Sequence, residues 1–68
     1  IEDYYQEPHS YVVKTRKGFD ARCYRLAVNP NHIGMLVTES SHRTLAAAIK
    51  AALKHQKLFG GTIAFPQP

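Results

Sequence analysis

Three segments of the chain alternate apolar with polar or small side chains, which is the pattern of a β-strand. They run over residues 10–17 (SYVVKTRK), 21–28 (ARCYRLAV) and 33–39 (IGMLVTE). Gly18 predicts a turn after the first segment, and the loop NPNH separates the second from the third. Because both connections are short, we predict an antiparallel meander of three strands.

After Thr44 the apolar period lengthens to 3.6 residues, which predicts one amphipathic helix. Thr44 is the favoured N-cap, and Gly60 suits the C-cap because glycine adopts a left-handed conformation without steric cost. The residues that follow, TIAF (62–65), are either a short edge strand or an extended tail stopped by Pro66. The predicted buried stripe of the helix comprises Leu45, Ala48, Ile49, Ala52, Leu53 and Gln56.

These elements predict an α+β fold, in which a three-stranded antiparallel sheet is backed by one C-terminal helix and the fourth strand is optional (β-β-β-α-β). The chain has 68 residues, so we expect a single small domain over residues 11–66. Residues 1–10 are polar and acidic, and we expect them to form a flexible arm. A domain this small supports a thin core and no deep catalytic cleft, which argues against an enzyme.

The middle strand is expected to divide its large side chains between the two faces of the sheet. If Tyr24, Leu26 and Val28 face the helix, Arg25 lies on the open face and Arg22 lies at the strand entry. This orientation decides whether the open face is basic.

The first strand has two possible orientations. The favoured one turns Tyr11 and Val13 inward and places Lys14 and Arg16 on the open face, where they would join Arg25 in a basic patch. Such a patch suits phosphates or guanine edges. The alternatives are the opposite orientation of the strand, or a role for these cations in protecting sheet edges from aggregation.

Positive charge is concentrated in the body of the chain. The net charge is +4, and all nine Lys and Arg residues lie at or after residue 14, where the acidic residues are Asp20 and Glu39. Such a surface attracts polyanions, nucleic acid first, although ordinary solubility requires similar charge. A second set of basic residues either follows a phosphate backbone or forms a solvated helix face, and comprises His42, Arg43, Lys50, Lys54 and Lys57.

The sequence has no motif for catalysis, metal binding or cofactor binding. The four histidines match no zinc spacing, and Cys23 lies within a strand, with nothing evident to activate its thiol. No pair of carboxylates suits acid–base catalysis, and no glycine-rich loop opens a helix. We therefore expect no catalytic residue, metal or cofactor. One cysteine excludes an intramolecular disulfide and favours an intracellular protein, cytoplasmic or associated with the nucleoid or nucleus, and no apolar run is long enough for a membrane helix.

The helix and the residues after it resemble part of a known DNA-binding architecture. Thr44 leads through an alanine-rich helix to Gly60 and Gly61, and then to an Ala-Phe-Pro end. This order is similar to the Apetala-type DNA-binding domain of plant and apicomplexan regulators. Its three antiparallel strands are backed by one helix, as are those of the arm-binding N-terminal domains of tyrosine-recombinase integrases. This chain departs from the plant family in having no tryptophan. The resemblance implies that the open sheet face enters the major groove, with contacts from Lys14, Arg16, Arg22 and Arg25.

These observations predict a non-enzymatic module that binds nucleic acid, with duplex DNA favoured, through the open sheet face. The alternative is a small phage or mobile-element protein that binds a partner protein or a second copy of itself. It would use its sheet edge, or an open face made partly apolar by Cys23, Ala27 and Leu36. A third interpretation is an accessory domain of a larger enzyme. The predicted nucleic-acid contacts are Lys14, Arg16, Arg22, Arg25, Arg43, Lys50 and Lys54.

Overall fold

The computed structural model describes residues 4–64, which form four strands and one helix. The predicted α+β fold is confirmed, and the optional fourth strand is present. The end of the predicted domain at residues 65–66 lies outside the described residues. In the described part of the chain, no helix is long and apolar enough to cross a membrane. In chain order the elements are β1 (His9–Lys14), β2 (Phe19–Arg25), β3 (Met35–His42), α1 (Leu45–Phe59) and β4 (Thr62–Ala64).

The four strands form one sheet in the order β3-β2-β1-β4. β2 pairs antiparallel with both β1 and β3, which is the predicted meander, whereas β4 pairs parallel with β1. Because β3 and β4 are the two outer strands and point the same way, α1 connects them by crossing one face of the sheet. The other face carries no second layer from the described residues, so we call it the open face.

Both predicted helix caps are confirmed. The Thr44 hydroxyl accepts a hydrogen bond from the Ala47 amide at 3.2 Å, which satisfies one of the free N–H groups of the first turn. At the other end, the Gly60 amide donates to the Gln56 carbonyl at 2.7 Å, so the position of the cap is as predicted. Its φ of 78° is positive, but its ψ of −164° differs from the predicted left-handed conformation. The caps therefore fix the helix between these two residues.

The core between α1 and the sheet consists mainly of small side chains. Ala48 and Ala52 are fully buried on the helix, and larger apolar residues pack only at the margin of the core. Because alanine brings a helix axis close to the sheet, the central strand has room only for small side chains beneath it. The buried residues of the sheet are Ser10, Val12, Ala21 and Cys23.

The prediction that Tyr24, Leu26 and Val28 face the helix is wrong. Ala21 and Cys23 are fully buried on the helix side of β2, so Tyr24 lies on the open face. Leu26 and Val28 lie beyond the end of the strand and are about half exposed. The physical reason is volume, because a tyrosine ring does not fit beneath an alanine helix. The same burial removes Cys23 from the open face, where the protein-binding alternative had placed it.

The described part of the predicted arm contacts the body of the protein. Over residues 4–8, the Gln6 amide donates to the Leu26 carbonyl at 2.8 Å, and the Tyr4 carbonyl accepts from the Val28 amide at 3.0 Å. β1 begins inside the segment assigned to the arm. Two backbone hydrogen bonds therefore join this segment to the residues after β2.

Candidate nucleic-acid interface

The open face carries one guanidinium and two carboxylates across β1, β2 and β3. Tyr11, Arg22 and Glu39 form one cross-strand row, and Asp20 lies in the next. Nη2 of Arg22 lies 3.1 Å from Oδ2 of Asp20, and Nε lies 3.0 Å from Oε2 of Glu39. The hydrogen bond to Asp20 raises the pKa of Arg22 above its ordinary value. Since both carboxylates pair with the same cation, the described open face has no surplus of positive charge.

Arg25, the second predicted contact on β2, binds the N-terminal segment. Its Nε donates to the Gln6 carbonyl at 2.7 Å, and its Nη2 lies 3.4 Å from the Tyr5 carbonyl oxygen. The guanidinium carbon also lies 5.7 Å from the centroid of the Tyr5 ring, within range of a cation–π interaction. Arg25 shares the side of β2 that carries Cys23, so its predicted position on the open face is wrong.

The first strand also has the orientation opposite to the favoured prediction. Val12 is buried in the core beneath the helix, so Tyr11 and Val13 lie on the open face. Lys14 lies on the helix side at the end of β1, and Arg16 lies in the turn beyond it. Both cations are exposed, and Lys14 does not belong to the open face, whereas Arg16 borders a cavity that also touches Asp20 at the end of that face. The buried core fixes this orientation, because shifting a strand by one residue would bring Val12 into water.

Basic residues instead gather where the β1–β2 turn meets the start of the helix. A side chain at Gly18 would collide with the His42 carbonyl oxygen and would come within 3.0 Å of the Arg43 Cα. The turn therefore lies directly against the residues before α1. Arg16 and Lys17 on this turn border an open cavity of about 290 Å³, and His42 borders the same cavity.

A second groove continues from this point along the helix. Its volume is about 420 Å³, and it is lined by His42, Ala47, Lys50, Ala51 and Lys54. Lys50 and Lys54 are neighbours on the helix surface because they are four residues apart. Ala47 and Ala51, which have short side chains, line this groove between the lysines. His42 borders both cavities, so the turn cavity and the helix groove meet at this residue.

We call this surface the basic end. Among the described residues, the ion pairs all involve Arg22, so no described carboxylate pairs with a lysine or arginine of the basic end. Asp20, which also borders the turn cavity, forms its ion pair with Arg22, two residues further along β2. The basic end comprises Lys14, Arg16, Lys17, His42, Arg43, Lys50 and Lys54.

The sequence predicts most residues of the basic end as nucleic-acid contacts, but it places them on two separate surfaces. Lys14 and Arg16 were assigned to the open sheet face, and Arg43, Lys50 and Lys54 to a helix stripe. The pairing of Phe19 with His42 brings these groups together, because it carries β3 as far as the turn. The predicted third segment ended at residue 39, three residues short of this contact.

Two members of the basic end, Lys17 and His42, were absent from the predicted contacts. His42 forms a hydrogen bond between its Nε2 and the Ser40 hydroxyl at 2.7 Å, which positions the ring at the junction of the two cavities. The signals that could have found them were the turn at Gly18 and the charge of its neighbours. Sequence spacing alone does not show that residue 42 meets that turn.

His55 lies half-buried on the helix, and its Nδ1 is buried with no hydrogen-bond partner among the described residues. Burial lowers the pKa of His55 below its ordinary value of 6.5, and the positive charge of His42 and Lys54 lowers it further. His55 therefore resists protonation.

Within residues 4–64, no three His, Cys, Asp or Glu side chains lie close enough together to hold a metal ion. No family model matches the chain, and neither a curated protein nor a solved structure is significantly similar to it. The function is therefore argued from the geometry and charge of the basic end.

Proposed function

We propose that this protein is a non-enzymatic nucleic-acid-binding module and that its basic end contacts the phosphate backbone. The observation that carries the proposal is the meeting of the β1–β2 turn with the helix, which joins Arg16 and Lys17 to Lys50 and Lys54 across His42. These cations have no described carboxylate as a partner, so their charge is available to a polyanion. Tyr11, Arg22 and Glu39, in the middle of the open face, have no part in the proposed contact.

The chemistry at the basic end suits phosphate positioning. Arginine on the turn offers a planar fork to phosphate oxygens, whereas lysines on the helix act as mobile point charges. Contacts of this kind depend little on base sequence, because they read the backbone. The proposal therefore predicts binding that is strongly dependent on salt and weakly dependent on sequence.

The test is a salt titration of binding to a short random duplex DNA. If about four cations of the basic end neutralise phosphates, affinity falls roughly 100-fold between about 50 and 200 mM salt. Replacing one contacting cation, as in Lys54→Gln, lowers the slope of log K against log salt by about 0.9.

Lys57→Gln is the matched control. It removes the same charge from the same helix, but Lys57 lies in the last turn and does not border the groove. We expect its slope to equal that of the unaltered protein. An equal decrease of the salt slope in the two variants would mean that only net charge matters. A larger decrease in Arg22→Gln than in either lysine variant would indicate that the open face is the binding site.

A specific observation favours a second candidate function, which is binding of a protein through the edge of β3. This outer strand is eight residues long and contains no Lys, Arg or Pro, the residues that usually protect an edge from pairing. Its one carboxylate, Glu39, is paired with Arg22, and Met35 and Leu36 are 40% and 47% exposed. β4, at the other edge, has only three residues. An extended segment of a partner, or β3 of a second copy, would satisfy this edge.

Sedimentation of the protein up to about 1 mM tests the self-pairing form of this candidate. We expect a concentration-dependent dimer that Leu36→Lys abolishes, because a lysine at the edge opposes pairing with another strand. A monomer at every concentration would exclude the second copy as the occupant.

A further inference from the structure

The N-terminal segment and the β2–β3 loop enclose an aromatic recess at the end of the sheet opposite the basic end. Its volume is about 380 Å³, and it is lined by Tyr4, Tyr5, Asn31, His32 and Ile33. The basic end lies at the other end of β2, a seven-residue strand and hence roughly 20 Å away. The recess is therefore separate from the proposed phosphate contacts.

Both walls of the recess are held in place by hydrogen bonds. On one side, the Tyr4 carbonyl accepts from the Val28 amide at 3.0 Å, and Arg25 binds the carbonyl of Tyr5. On the other side, the Asn29 side chain accepts from the Asn31 amide at 2.9 Å, which closes the loop into a tight turn. These hydrogen bonds order both walls of the recess, which lowers the entropic cost of binding.

The rings of the recess offer a surface on which a planar guest can stack. The centroids of Tyr4 and His32 are 6.4 Å apart and their planes are inclined by 43°, which is the geometry of a direct tilted contact, so the two rings form one aromatic wall. The Tyr4 side of this wall is accessible, because Tyr4 is 58% exposed. Ile33, at the mouth of the recess, is 86% exposed and supplies an apolar edge.

We infer that this recess holds an unstacked nucleobase of a single-stranded nucleic acid, an inference that rests on the proposed function. Tyr4 would stack on one face of the base, and Asn31 would meet its hydrogen-bonding edge. A duplex keeps its bases stacked inside, so the recess favours single strands. Phosphates at the basic end and a base in the recess fit a site of several nucleotides, within the roughly 4–16 that one small fold covers.

Two probes of equal charge test the inference. One is an oligothymidine of about twelve nucleotides, and the other is an abasic deoxyribose-phosphate strand of the same length. We expect the oligothymidine to bind roughly 5- to 100-fold more tightly. Tyr4→Ala should remove this preference, whereas Tyr4→Phe should retain it because the ring is preserved. Lys54→Gln should reduce the affinity for both probes by the same factor. Equal binding of the two probes by the unaltered protein would overturn the inference.

A titration with free adenosine, up to about 10 mM, separates the recess from the basic end. We expect saturable NMR shifts of the His32 ring that Tyr4→Ala abolishes, whether or not the strands bind. If neither strand binds at low salt, the proposed phosphate contact fails. The adenosine shifts then decide whether the recess binds a nucleobase. An absence of such shifts in the unaltered protein would then overturn it. An oligoribonucleotide in a parallel titration shows whether RNA or DNA is preferred.

Discussion

At the residue scale, the two arginines of β2 show how local chemistry decides which cations are available. Arg22 pairs with Asp20 and Glu39, and Arg25 binds two backbone carbonyls. Asp20 lies two residues before Arg22 on β2, but Glu39 comes from β3, and the partners of Arg25 come from the N-terminal segment. The pairing with β3 and with the N-terminal segment could not be predicted without the strand register.

The paired glycines after the helix give the first prediction. Gly60 and Gly61 have φ values of 78° and 81°, but a Cβ at Gly60 would meet nothing within 4 Å, whereas one at Gly61 would collide with the Pro8 carbonyl oxygen. We expect Gly60→Ala to cost about 1–3 kcal/mol of unfolding free energy, because φ 78° with ψ −164° is a region that essentially only glycine adopts. Gly61→Ala should cost more than about 3 kcal/mol, since backbone strain and the collision add. Urea denaturation checks both, and equal costs would contradict the described contact with Pro8.

His55 gives a prediction about pH. Because its folded pKa lies below the ordinary 6.5, the folded state binds the proton less readily than the unfolded chain does. Its contribution to stability is therefore present above pH 6.5 and is lost as the pH falls from there towards the lowered pKa. We expect His55→Gln to flatten the dependence of unfolding free energy on pH between about 7 and 5. An unchanged slope would mean that His55 titrates alike in both states.

At the scale of the elements, the helix was the most predictable part and the faces of the strands the least. Thr44 and Gly60 carry local chemical signals, so both ends of α1 could be read directly from the sequence. The buried face of β2 depends instead on how closely the helix approaches. Ala48 and Ala52 set that distance, and the small pair of Ala21 and Cys23 complements them better than the larger Tyr24 would.

This complementarity predicts an asymmetry between two alanines of the same helix. Ala52→Leu places a large side chain against the sheet and should cost about 1–3 kcal/mol of unfolding free energy. Ala46 lies on the exposed side of the first turn, so Ala46→Leu should change the unfolding free energy by less than about 0.5 kcal/mol. Thermal denaturation of both variants measures the difference. Similar melting temperatures would show that the helix does not pack tightly through Ala52.

At the scale of the whole molecule, the crossing of α1 from β3 to β4 determines where the basic residues gather. It places the start of the helix beside the β1–β2 turn and so assembles the basic end, while the β2–β3 loop and the N-terminal segment meet at the opposite end. The sequence predicted the charge and most of its carriers. The turn that carries Arg16 and Lys17 and the helix that carries Lys50 and Lys54 are both next to His42, and this placement depends on tertiary contacts that no local pattern encodes.

The most direct test of the proposed phosphate contact is an NMR titration of the isotope-labelled protein with a short duplex DNA at low salt. We predict that the amide resonances of residues 15–18 and 42–54 shift, and that those of Tyr11, Arg22 and Glu39 on the open face do not. Shifts confined to the open face, or an absence of shifts at low salt, would contradict it.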